Sequence, residues 1–395
     1  MTDSKKNLQI NPSQINPLKI NALQIDTRIQ HAGHQHRLGR GLVGALETSV
    51  TYRTPSAEDT PVYSRLGNTS NHHEVEDLLA TLHGAEAAIA TGSGMSATNL
   101  IFISLAKPGD HILCLDVCYG GTYNYLTKIL KKWGVETTFA PIADWNRLKQ
   151  DNTKFVFFES ITNPFCVPQD IAKAVEFSHA NQLTSICDNT FASPILCQPL
   201  AMGADLVLES ATKYLNGHSD VIAGAVFGSR PLLDKLRSCH AYLGTFLPPQ
   251  QCVQLMRGIR TLPLRVDAHG RNAQKFAEYL QRHDSVEEVY YGSPGNKAIN
   301  TQFSKGFGGM VTVRFKSTVP MQNFLAGLKL TSDVPSLGGT ETTATRPMYT
   351  TNWFMNDDQK EKLGITPHLV RFSIGLEDPQ DILADIEQSL VICKN

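Results

Sequence analysis

Short apolar runs separated by helical stripes dominate the chain from about residue 70 to residue 230. Residues 87–90, 111–116, 137–141, 154–160, 183–188, 205–209 and 224–229 are compact and rich in apolar or β-branched positions, the pattern of strands covered on both faces. Between them, Val75, Leu78, Leu79 and Leu82 recur at helical spacing, with Gly84 where a C-terminal cap belongs. Further helices are expected up to Leu105 and over residues 171–179. Alternation of this kind predicts a mainly parallel sheet with helices on both faces. A long helical region follows from 250 to 280, broken near Pro263, and the composition changes around 293–305 on entry to a smaller α+β region. There a strand is expected over 309–315. Residues 368–374 alternate like a half-buried strand, with Arg371 facing the same way as Leu369 and Ser373. Asp378 and Pro379 open the last helix as cap and first-turn proline, and Ile382, Leu383, Ile386 and Leu390 form its apolar stripe. The expected division is an N-terminal segment over 1–60, a large domain over 61–255 and a smaller C-terminal α+β domain over 256–395.

A chain of 395 residues is too long for one typical core, which agrees with that division. With 41% apolar and 18% charged residues it reads as an ordinary globular protein, and its net charge of −1 gives no reason to expect nucleic acid or an anionic membrane as partner. No apolar run approaches the roughly 20 residues of a membrane helix, and residues 1–11 lack the apolar core of a secretory signal, so a cytoplasmic address is expected. The eight cysteines lack metal-type spacing and read as reduced thiols; no metal is expected. A loose Ile-Asn-Pro and Ile-Asn-Ala recurrence before residue 24 is either a flexible tail or an arm across a neighbouring subunit.

The chemistry gathers where the predicted strands end. Lys213 follows the 205–209 run within Ser210-Ala211-Thr212-Lys213-Tyr214. A lysine at the carboxyl end of a buried strand is costly unless it is paired, neutralised or covalently used. The Ser210 and Thr212 hydroxyls suit a phosphate, and the run before Asn189 ends in Asp188. An amine for a Schiff base, phosphate donors and a carboxylate opposite a ring nitrogen are what pyridoxal phosphate requires. The turn Thr91-Gly92-Ser93-Gly94-Met95-Ser96-Ala97 opens a helix whose free N–H groups favour phosphate, without matching dinucleotide or P-loop spacing. Tyr119, beside Gly120 and Gly121 after the 111–116 run, is placed to stack on a flat cofactor. Asn163 stands at the exit of the 154–160 run. Arg371 is either a structural ion-pair partner or the fork that grips a substrate carboxylate. Ligands of such sheets sit beyond the carboxyl ends of the strands, where Gly94, Tyr119, Asn163, Asp188 and residues 210–213 all fall.

These motifs resemble the Cys/Met-metabolism pyridoxal-phosphate enzymes over about residues 24–390. The likeness rests on Tyr63-Ser64-Arg65, Gly92-Ser93-Gly94-Met95-Ser96-Ala97, Tyr119-Gly120-Gly121-Thr122, Thr162-Asn163-Pro164, Asp188-Asn189-Thr190, Ser210-Ala211-Thr212-Lys213-Tyr214, Gly217-His218-Ser219-Asp220, Ser336-Leu337-Gly338-Gly339 and Arg371 ahead of Gly375-Leu376-Glu377-Asp378. The resemblance implies an α/β fold of the aspartate-aminotransferase type (fold type I), with a smaller C-terminal α+β domain, and pyridoxal 5'-phosphate as cofactor. By it, Lys213 binds the cofactor covalently and acts as base, Asp188 keeps the ring nitrogen protonated, and Ser210, Thr212, Gly94 and Met95 hold the phosphate. Tyr119 stacks on the ring and relays protons, Asn163 lies near the ring oxygen, Arg371 takes the substrate carboxylate, and Ser336 positions the freed lysine. Tyr63 and Arg65 reach the phosphate of a neighbouring subunit, which implies a homo-oligomer, a dimer of dimers in the family's usual form, with shared active sites and a small amino-acid substrate.

The implied activity is a carbon–sulfur lyase acting on cystathionine or a related thioether amino acid, with β-elimination preferred and γ-elimination next. The alternative is a γ-replacement transferase, of the cystathionine γ-synthase or O-acylhomoserine sulfhydrylase kind. Pro335 stands where γ-lyases and γ-synthases of the family usually carry a glutamate, and Gly121 where methionine γ-lyases tend to carry a cysteine. Gly67-Asn68-Thr69-Ser70 replaces the usual Asn-Pro-Thr in the tyrosine loop.

Overall fold

The computed structural model describes residues 23–33, 41–54, 56–292, 295–303 and 305–393. The N-terminal recurrence expected as a tail or an arm lies outside the described residues. Seven strands, β1 (Ala87–Thr91), β2 (His111–Cys114), β3 (Glu136–Phe139), β4 (Thr153–Glu159), β5 (Thr184–Asp188), β6 (Leu206–Glu209) and β7 (Gly224–Gly228), form one sheet in the order β1-β7-β6-β5-β4-β2-β3. The β3-β2-β4-β5-β6 run is parallel, and β7 pairs antiparallel with both β6 and β1. Six of the seven strands therefore point the same way, as the alternation of runs and stripes predicts.

The period of two along each strand sorts its side chains into two layers. In β4, Val156 and Phe158 join one core while Phe155 and Phe157 join the other. The helices Ser70–His83 and Ile171–Ala180 cover the first face, and Gly94–Leu105 and Arg230–Leu243 the second. Each fully buried Phe or Leu contributes about 1.5–3 kcal/mol to holding these layers together. Gly84 caps Ser70–His83 in the left-handed conformation, as expected from its place after the stripe.

A second sheet of β8 (Val286–Tyr290), β9 (Met310–Phe315), β10 (Ser332–Asp333), β11 (Thr343–Thr345) and β12 (Leu369–Ser373) runs in the order β10-β11-β12-β9-β8. Its core packs Val311, Val313, Val370 and Phe372 against Phe276 of the helix Leu262–Leu280 and Ile382 and Ile386 of Pro379–Ile392. Here β12 departs from expectation: all five of its residues are buried, not alternate ones. Val370 and Phe372 face the helices, while Arg371 faces a cavity and Leu369 joins Phe165, Met355 and Ile365. Both faces of the strand are covered, so alternation of residue type does not become alternation of exposure.

Two local expectations shift. The 250–280 helical region breaks at 260–261, between Pro249–Ile259 and Leu262–Leu280, and Pro263 sits in the first turn of the second helix, where its missing N–H costs nothing. Tyr119 is not at a strand end: β2 stops at Cys114, and Tyr119 is the N-cap of the short helix Gly120–Asn124. That turn needs glycine at 120, because a Cβ there would meet the Thr351 carbonyl oxygen and the Phe354 ring at 2.2 Å.

Candidate active site

The carboxyl ends of β1, β4, β5 and β6 meet the loop before β11 and the middle of β12 around a cavity of about 320 Å³. Of the residues expected in a site, Gly94, Met95, Tyr119, Asn163, Asp188, Ser210, Thr212, Lys213, Ser336 and Arg371 line this one cavity. Tyr63 and Arg65 do not. Arg65 donates to the Ala241 carbonyl at 2.6 Å, and its guanidinium lies 5.4 Å from the centre of the Tyr63 ring.

Lys213 leaves β6 through a tight turn in which its own N–H bonds the Ser210 carbonyl and its carbonyl accepts from Gly217. Its Nζ donates to Ser336 Oγ at 2.8 Å. Ser336 holds φ at +119°, a strained conformation for a residue with a side chain and one met mainly at functional positions. Burial, reinforced by the Arg371 charge, pulls the Lys213 amine down to about 8, so a useful fraction is unprotonated near neutral pH.

Arg371 is 2% exposed. It donates to Asn163 Oδ1 at 2.8 Å and to the Ser336 carbonyl at 3.4 Å, while its Nε finds no partner. No carboxylate pairs with it among the described residues, so its buried charge is left for an incoming anion. Of the two readings its sequence allowed, the structural ion pair finds no partner among the described residues. Asp188 accepts from the backbone N–H and hydroxyl of Thr190, at 2.9 and 2.5 Å. Those bonds favour its charged form, but burial outweighs them and pushes its carboxyl up to about 6. Tyr119 is raised mainly by burial and secondarily by the Asp188 charge.

The helix Gly94–Leu105 starts at the cavity wall, with Ser93 as its cap accepting from Ser96 N–H. A Cβ at Gly94 would lie 2.8 Å from Ser210 Cβ, so glycine keeps the gap between helix start and β6 exit open. Twelve further residues line the cavity beyond the expected site residues, and three of them bear on its chemistry. Glu159, at the end of β4, accepts from the N–H of Tyr119 at 2.6 Å and of Asn163 at 3.0 Å. Thr190 supports Asp188, and Thr351 enters from the loop before β12. Glu159 had a legible signal, since it stands next to last in the 154–160 run, at the same end as Asp188 in its own. Thr351 had none.

The profile of the Cys/Met metabolism PLP-dependent enzymes matches residues 26–391. The chain belongs to this family. It is similar to a cystathionine gamma-lyase of Bacillus subtilis (39% identical, covering 86% of this chain and 92% of that one) and to a cystathionine beta-lyase of Lactococcus lactis subsp. cremoris (37% identical, covering 93% and 98%). Among solved structures, a cystathionine gamma-lyase from Lactobacillus plantarum complexed with L-serine superposes with a TM-score of 0.90 at 34% identity, covering 94% of this chain and all of that one. The family's fold and its pyridoxal-phosphate dependence agree with the expectations from sequence, as does the carbon–sulfur lyase class that these relatives' names carry. The cavity fits the cofactor: a lysine whose amine is lowered by burial, a half-buried carboxylate, a helix start beside two hydroxyls, and a buried guanidinium with an unmet donor.

Proposed function

We propose that this family member is a carbon–sulfur lyase that cleaves cystathionine or a related thioether amino acid, breaking the bond at the β-carbon in preference to the γ-carbon. When bound, pyridoxal phosphate supplies an electron sink for the pair left at the substrate's α-carbon. The chain does the rest. Arg371, steadied by Asn163, grips the α-carboxylate, and its bidentate geometry fixes the amino acid's orientation. Lys213 is both the covalent anchor and, once displaced, the base that takes the α-proton, with Ser336 holding its Nζ toward the reaction. Asp188 holds the proton on the ring nitrogen. Ser210, Thr212 and the N–H groups of Gly94 and Met95 hold the phosphate, and Tyr119 covers the ring. Breaking the β-bond expels a thiol, and one water hydrolyses the remaining enamine to pyruvate and ammonia; the γ-bond requires a second deprotonation, at the β-carbon.

The observation that carries the preference is the cavity wall at residue 335. Pro335 lines it, beside Ile222 and Leu337, and the carboxylates of the cavity are Asp188 and Glu159, both bonded to neighbouring groups of the chain. No anion from this wall meets a distal ammonium. Gly121 argues against a methionine γ-lyase, which tends to carry a cysteine there, and in this chain a Cβ at 121 would lie 2.4 Å from the Tyr119 ring. The proposal includes a homo-oligomer in which Tyr63 and Arg65 serve the partner's phosphate, and a cytoplasmic setting in keeping with eight free cysteines. Incubation with cystathionine tests the reading: pyruvate with homocysteine identifies β-cleavage, 2-oxobutyrate with cysteine γ-cleavage. Formation of neither, with thioether appearing instead from an O-acylhomoserine and a thiol, replaces it with the transferase.

A further inference from the structure

Glu159 is 4% exposed and lines the catalytic cavity, yet nothing in the reaction as derived uses it. Its place is dictated by register. In the parallel pair β4–β5, Glu159 stands directly beside Asp188, so two carboxylates end adjacent strands and face one space. Its two oxygens are divided between two loops: Oε1 accepts from Tyr119 N–H, at the start of the short helix over the cavity, and Oε2 from Asn163 N–H. Asn163 in turn accepts from Arg371. One carboxylate therefore ties the residue that covers the ring to the residue that orients the substrate's fork.

We propose that Glu159 is a positioning residue that works as an anion, fixing Tyr119 and Asn163 from one point and adding negative charge beside Asp188 at the cationic end of the site. An ionised carboxylate accepts fully at both oxygens, which suits two N–H donors; the acid form leaves a weaker acceptor at the oxygen that carries the proton. Burial and the Asp188 charge work against ionisation and push the Glu159 carboxyl well up. The opposing repulsion falls once Asp188 pairs with a protonated ring nitrogen, because a neighbouring cation favours the charged form. The other titratable groups around it are Cys118, from the loop after β2, Tyr119, Cys166 from the loop after β4, Cys187 of β5, Lys213 from the β6 exit and Arg371 from β12.

The test uses the cofactor-loaded enzyme and its Glu159→Gln and Glu159→Asp variants. Glutamine keeps the shape but offers one acceptor and one donor group; aspartate keeps the charge with a shorter reach. In Glu159→Gln the midpoint of the pH-dependent absorbance change of the bound cofactor falls by about one pH unit, because a charge that favoured the protonated form is gone. KM for the amino-acid substrate rises about tenfold while kcat changes less than threefold, the split expected when a binding group is misaligned. In Glu159→Asp the absorbance midpoint stays at the wild-type value and KM still rises. A wild-type midpoint in Glu159→Gln, or equal shifts in both variants, overturns the charge role; a wild-type KM in both overturns the positioning role. If Glu159→Gln does not fold, Glu159→Ala takes its place as the uncharged variant in both comparisons. The absorbance titration needs no substrate, so its result stands whichever bond the enzyme proves to break.

Discussion

Asp188 carries two demands that pull against each other. In the proposed function its task with the cofactor is to be an anion, and the folded chain without the cofactor makes that costly: burial lifts the carboxyl from 3.8 to about 6. Because the folded state then binds the proton more tightly than the unfolded chain, the cofactor-free protein loses stability as pH rises from about 4 to about 6 and does not recover it above. The shift of about two units corresponds to roughly 1–3 kcal/mol once the opening to the cavity is allowed for. Asp188→Asn therefore stabilises the cofactor-free protein at pH 7 by that amount, since asparagine still accepts from Thr190 through its carbonyl. The same substitution lowers activity of the loaded enzyme more than a hundredfold. Urea unfolding of the two cofactor-free proteins at pH 5 and pH 7 checks the first claim; equal stability at pH 7 contradicts it. At this scale the sequence was readable where a polar residue closes or soon follows an apolar run, as Asp188 and Lys213 do. Glu159 stands next to last in such a run too, but only the strand register shows that its carboxylate stands beside Asp188 and bonds across two loops.

The elements bring their own constraint at the meeting of the helix Gly94–Leu105 with the exit of β6. A phosphate gains from a helix start only if the backbone N–H groups can be approached closely. At Gly94 an added Cβ would stand 2.8 Å from Ser210 Cβ and 3.0 Å from its Cα and Oγ, contacts that only a shift of the two elements relieves. Alanine at the first helical position carries no propensity cost, so Gly94→Ala should fold with wild-type circular dichroism. Its cofactor dissociation constant should rise at least tenfold, on the order of 1.4 kcal/mol. Equilibrium dialysis followed by absorbance measures it, and wild-type affinity would show that the turn serves packing alone. The turn was legible because strand, glycines and helix are contiguous. What lies behind it was not. His83, at the end of the helix Ser70–His83, bonds Glu209 at 2.9 Å, and Asn189 bonds the same oxygen of Glu209 at 2.9 Å. The His83–Glu209 partners stand 126 residues apart, and no periodicity of either segment announces the pair. The same holds for β12, whose full burial follows from what covers its second face.

On the scale of the molecule, one chain assembles every expected cofactor and substrate residue around its cavity except Tyr63 and Arg65. These two sit in the loop around the turn Ser64–Leu66, with Arg65 exposed and resting against Ala241 and the Tyr63 ring. Within a single chain they do not line the cavity that holds the other residues. The proposed two-fold assembly would bring them to one, because each subunit then presents the same loop to its neighbour. The consequence is a complementation experiment. Arg65→Ala and Lys213→Ala are each made as pure assemblies, where the first lowers activity through weakened phosphate binding and the second abolishes it. When the two are unfolded together and refolded, half of the resulting dimers contain one subunit of each kind. In such a dimer the site with an intact Lys213 receives an intact Arg65 from the other subunit, so activity returns to about a quarter of the wild-type level, counted per site. If Arg65 served its own subunit, the mixed dimer would pair every intact Lys213 with a missing Arg65, and mixing would restore nothing. A single chain's geometry decides between those outcomes only by elimination, whereas the recovered fraction decides by counting sites.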